Sequence, residues 1–136
     1  MCKEFPKVVP FADAGEMFQK AASYYDLAKT FYLKAEGYLK KALQYADGDE
    51  EEFVKNYLKM VQYAIKSTEA KYYQSLYMAK ACDYYAKGDD KNGTYWVGKA
   101  NEKGDEDNSY LETYNMYVDR FLKHFGESNP DKISIS

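Results

Sequence analysis

Histidine, arginine and tryptophan occur once each in this chain of 136 residues, and cysteine only twice. Each scarcity closes off a kind of chemistry. Ferritin-like di-metal centres draw a Glu-x-x-His pair from each of two helices, and His124 alone cannot supply them. A His-based zinc site fails for the same reason, and any Ser/His/Asp or Cys/His triad would have to use His124. Arg120 is the sole arginine, so the bidentate guanidinium clamps that hold phosphate or carboxylate are not expected. Cys2 and Cys82 lie far apart with no metal-like or redox-like spacing, which favours a reduced, cytoplasmic chain over a disulfide scaffold. No apolar run approaches the ~18 residues of a membrane span, and the N-terminus lacks a secretory hydrophobic region. Net charge is −3, with lysines and acids interspersed. Nucleic-acid binders show a basic stripe because phosphate neutralisation dominates their affinity, so nucleic acid is not an expected partner.

Tyrosine, by contrast, is abundant, with sixteen copies against seven phenylalanines. The tyrosines fall in columns seven residues apart. One column reads Met17, Tyr24, Phe31, Tyr38, Tyr45; a second reads Phe18, Tyr25, Tyr32, Leu39, Ala46. A third is alanine throughout: Ala14, Ala21, Ala28, Ala35, Ala42. Such columns specify one long helix packed against others. The strict alanine column reads as an internal packing surface on which a neighbouring backbone approaches closely.

The expected architecture is all-α: an antiparallel bundle of three to four helices on a long αα-hairpin (about 14–46 and 50–87), with a short helix (about 91–102) and a C-terminal helix (about 109–125). Residues 1–13 read as an extended arm, 14–126 as the bundle domain and 127–136 as a flexible tail. Asp13 is the expected N-cap of the first helix, and Asp47-Gly48-Asp49 the break before the second. Residues 103–108 (KGDEDN) read as an acidic loop, with Ser109 and Glu112 forming a capping box beyond it.

The second helix carries an inner ladder of Leu58, Val61, Ile65, Thr68, Tyr72, Ser75, Ala79, Cys82 and Ala86. Extra Tyr columns flank it, a wider arc than one partner helix needs. That helix is therefore either central or in contact with another molecule. Tyr63, Tyr77 and Tyr84, with Trp96 as an anchor, are the candidate interaction surface, because Tyr and Trp dominate interface energetics. Lys71 interrupts an apolar column; its stem can lie over apolar surface, and its head can pair with a buried acid or meet a ligand anion. Cys82 on the inner ladder reads as an inert core thiol. Neither acidic turn is an EF-hand: a loop from Asp105 puts Tyr110 where glycine belongs and Met116 where glutamate belongs, and one from Asp47 ends on Leu58. Gly88, Gly93 and Gly98 follow no strand, so they form no phosphate loop.

Two resemblances bear on function. Tyr77 through Ala81, Tyr84, Gly88-Asp89 and Ala100 resemble part of a tetratricopeptide repeat, and Tyr24, Leu27, Ala28 and Phe31 resemble another first helix. That resemblance implies a peptide-binding groove, although no 34-residue self-match runs along the chain. Arg120 and His124 on a C-terminal helix resemble the HEPN ribonucleases, whose Arg and His are separated by four to six residues; here three intervene. The leading expectation is a non-enzymatic protein-interaction module, an adaptor or a self-associating bundle, with no cofactor and no metal. The alternative is a small-molecule binder with a Tyr-lined pocket between helix two and the shorter helices, Lys71 meeting the ligand; the remaining one is a HEPN-like bundle nuclease.

Overall fold

A computed structural model describes residues 10–126 and holds three long helices in antiparallel succession. They are α1 (Phe11–Leu43), α2 (Gly48–Ala86) and α3 (Asp90–Phe121), and α3 runs on into a π-helical turn, Leu122–Gly126. No strand occurs among the described residues. At ~1.5 Å per residue α2 is about 58 Å long. It packs against both α1 and α3, while α1 and α3 make at most a glancing contact. The wide apolar arc of α2 is thus the mark of a central helix.

The α1–α2 seam lies one position away from the alanine column. Its buried members are Gly15 and Ala22, with Phe18, Tyr25, Leu39 and Leu43 half-buried beside them. A Cβ at Gly15 would stand 3.3 Å from the Cβ of Cys82, so the backbones approach closely there. Further along, the same heptad turns polar and is satisfied across the seam. Lys29 Nζ donates to Glu69 at 2.7 Å, and Gln62 Nε2 donates to Glu36 at 3.2 Å. The hydrogen bond to Glu69 holds the Lys29 ammonium above its ordinary pKa.

The α2–α3 seam is small-sided at one end and aromatic at the other. Gly93, Ala100 and Asp107 are the buried positions of α3. The Tyr85 ring lies directly on Gly93, and its hydroxyl meets Thr94 Oγ1 at 2.9 Å. At the far end Phe53 meets Phe121 and Phe125 at ring separations of 5.0 and 5.3 Å.

Two expectations are corrected. Residues 103–108 are helical, so the two shorter helices are one continuous α3. Gly104 and Asp107, which read as loop residues, sit instead in the seam: Gly104 faces Gln74, and Asp107 is buried against α2. Tertiary contact overrides the ~1 kcal/mol helix penalty of a glycine. Likewise α1 begins at Phe11 with Pro10 as its N-cap, and Asp13 lies in the first turn. Phe11 stacks on Tyr85 at 5.1 Å, which anchors the earlier start. Of the expected arm, residues 1–9 (Cys2 included) lie outside the described residues, as does the tail from 127 on.

The turn between α2 and α3 follows from two residues. Gly88 takes φ +82, and the Asp89 and Gly88 amides donate back to Tyr84 and Tyr85, closing a Schellman motif. The Asp89 side chain then accepts from the Asn92 amide at 3.1 Å and caps α3.

Candidate functional site

Among the residues singled out from the sequence, Tyr63, Tyr77 and Trp96 are half-buried with their rings engaged between α2 and α3. Tyr63 stacks on Tyr117 at 5.8 Å, and Tyr77 meets Trp96 at 5.3 Å with Lys80 4.3 Å over the indole. Tyr84 is half-buried near the end of α2, where its carbonyl accepts from Lys87 and Asp89. The extra tyrosine columns of α2 are largely those that α3 covers.

Lys71 finds the buried acid that its position allowed. Its Nζ donates to Asp107 Oδ2, and Ser67 Oγ donates to Oδ1 of the same carboxylate. The Asp107 side chain is 6% exposed and that of Lys71 31%. This group lies beside a groove of about 320 Å³ lined by residues from all three helices, including Tyr25, Tyr32, Ala64 and Tyr114. Room therefore exists beside α1, although close approach on the alanine column would leave little. Lys71 is thus ion-paired within the protein and also lines this groove. Cys82 is buried, and burial pushes its thiol pKa up, as an inert core thiol requires.

Arg120 and His124 are both exposed. The Arg120 guanidinium lies 5.2 Å over the Tyr117 ring, and His124 sits in the π-helical turn edge-on to Phe125. No group of three or more His, Cys, Asp or Glu side chains is placed to share a metal ion among the described residues. Neither is any helix there long and apolar enough to cross a membrane.

The surface that sequence reasoning passed over is on α1. Met17, Tyr24, Phe31, Tyr38 and Tyr45 are 63%, 71%, 60%, 71% and 84% exposed, and Leu27 and Leu33 are exposed beside them. From Met17 to Tyr38 the column forms an uncovered stripe about 32 Å long on α1 at ~1.5 Å per residue, and Tyr45 follows in the turn beyond Leu43. Alongside it runs the alanine column, half-buried from Ala14 to Ala35 and exposed at Ala42. The two alternate at four and three residues, which makes a second heptad seam on the same helix. The signal lay in the sequence, since two heptad seams on one helix ask for two neighbours. Among the described residues α1 packs closely only on α2.

Comparison with protein-family models, with curated proteins and with solved structures gives no match. The long uninterrupted helices also differ from the short alternating helices of tetratricopeptide repeats.

Proposed function

We propose that this chain is a non-enzymatic protein-interaction module, an adaptor or a self-associating bundle, and that it works through the outer face of α1. The observation that carries the reading is the exposed column from Met17 to Tyr45. Tyr and Phe rings contribute on the order of 150–250 Å² each when covered. Four such rings with Met17, at these exposures, offer on the order of 600–800 Å², close to the ~800 Å² per partner of a standard interface. Contiguous apolar patches of that size on soluble proteins mark contact surfaces.

A site-specific photo-crosslinker tests this in the cells that make the protein. Placed at Phe31 or Tyr38, it is expected to form one adduct of defined mass, which Tyr24→Ser in the same chain abolishes. The same crosslinker at exposed Ser109 on α3 is the control. Equal adducts from Ser109, or none from the α1 positions, overturn the reading.

A further inference from the structure

We infer that the α1 face takes an acidic amphipathic helix of another protein, laid along the aromatic column. The inference rests on the reading of α1 as a docking face and adds the chemistry of the occupant.

Register points to a helix. Met17, Tyr24, Phe31 and Tyr38 each have an alanine three residues before and four after, so the face alternates knobs and holes in the 3–4 pattern of helix-into-helix packing. A lipid surface needs no such register.

Charge selects which helix. The row on the flank away from the alanines begins with Asp13 and continues with Lys20, Leu27, Lys34 and Lys41, all exposed. Among the described residues none of these three lysines is ion-paired, whereas Lys29, Lys40, Lys55 and Lys71 each have an acid. Only the Phe31 ring engages one of them, 5.9 Å from Lys34 Nζ. Three uncompensated ammonium groups beside an apolar stripe, on a chain of net charge −3, complement a partner flank of Asp or Glu.

The same row disfavours a second copy. An antiparallel α1 pair that sets each large side chain against an alanine places the lysine row against itself, with Lys20 of one copy beside Lys41 of the other. A parallel pair stacks large on large and alanine on alanine, which fills the interface poorly.

The test uses the full chain and two labelled four-heptad peptides, both with leucine at the two core positions. One carries glutamate at both flanking positions and the other lysine. Fluorescence anisotropy is expected to show the glutamate peptide binding at least tenfold more tightly in about 50 mM salt, a margin that narrows near 500 mM as screening shortens. The triple variant Lys20→Glu, Lys34→Glu, Lys41→Glu should reverse the preference, and Tyr24→Ser, Phe31→Ser, Tyr38→Ser should abolish binding of both. Circular dichroism confirms that the variants are folded. Equal binding of the two peptides, a preference unchanged by the charge reversal, or no binding of either overturns the inference. So does a dimeric mass by light scattering that the serine variant returns to monomer, which gives the face to a second copy. Recovery on phosphatidylserine vesicles without peptide binding gives it to a membrane and overturns it equally. If the peptides fail while the Phe31 photo-adduct forms, only the acidic helix is lost and the docking face stands.

Discussion

Lys71 and Asp107 meet across the α2–α3 seam, and Ser67 holds the second oxygen of the same carboxylate. The acid lies in a stretch that composition marks as a loop, yet it is the only charged side chain among the buried residues described. The pairing explains why α3 is continuous: a loop at 103–108 would pull Asp107 away from both partners.

The two partners should respond unequally to mutation. Lys71→Met keeps the apolar stem but leaves Asp107 buried with one hydroxyl, at a cost of about 3–5 kcal/mol. Asp107→Asn keeps an acceptor for Ser67, and the partly exposed ammonium can turn to water, so about 1–2 kcal/mol is expected. Urea denaturation followed by circular dichroism measures both. Equal losses would show that Asp107 is better solvated than its burial indicates.

Glycines within the helices divide by what surrounds them. A Cβ at Gly93 would come within 2.6 Å of the Tyr85 ring, whereas Gly37 and Gly98 face open space. Gly37→Ala and Gly98→Ala should each stabilise by up to about 1 kcal/mol through helix propensity. Gly93→Ala should instead destabilise by about 1–3 kcal/mol, because Tyr85 is pinned by Phe11 and Thr94 and must be displaced. Thermal melts of the three variants give the signs directly.

Gly93 also shows where sequence reading succeeds and stops. The hairpin, the all-α class and the inner ladder of α2 follow from heptad spacing; Val61, Thr68, Ser75 and Cys82 are buried as that ladder requires. The choice among neighbouring apolar columns does not follow. On α1 three adjacent columns are apolar, and the seam facing α2 contains Lys29 and Glu36, which a hydrophobicity pattern rejects. Their partners Glu69 and Gln62 lie 40 and 26 residues away, so nothing local reveals that the pair is satisfied. The outer column of α1 shows in the sequence as a second heptad seam, but its exposure does not, since an exposed tyrosine column and a buried one are identical as sequence.

Cys82 should be chemically silent in the native state. Burial raises its thiol pKa, and its Cβ lies where Gly15 leaves space for contact. In a Cys2→Ser chain at pH 8, alkylation by iodoacetamide should be slower than in urea by roughly a hundredfold or more, limited by opening of the α1–α2 seam. Gly15→Val should speed it by forcing that seam apart. Native alkylation at the rate of the unfolded chain would place the thiol in solvent.

Acid should loosen the start of α3. The Asn92 side chain and amide hold the Asp89 carboxyl below its ordinary pKa. A group whose folded pKa is depressed contributes stability that is present above its unfolded value, ~3.9, and lost as pH falls through the folded value. The difference in stability between wild type and Asp89→Asn should therefore hold from pH 6 to about 4 and shrink below that. A difference that grows on acidification would reverse the assignment.

Mutations on the α1 face should separate recognition from folding. Tyr24 and Tyr38 are 71% exposed, so replacing either with serine removes little buried surface and should change stability by no more than about 0.5 kcal/mol. Tyr25 is one residue away from Tyr24, but it is half-buried and lines the groove between the three helices. Tyr25→Ser should cost about 1–3 kcal/mol through lost packing. Denaturation midpoints of the single variants, measured beside adduct formation from Phe31, test both halves. Loss of stability at Tyr24 or Tyr38 comparable to that at Tyr25 would mean that the column is covered from within, and the docking face would then have no surface to offer.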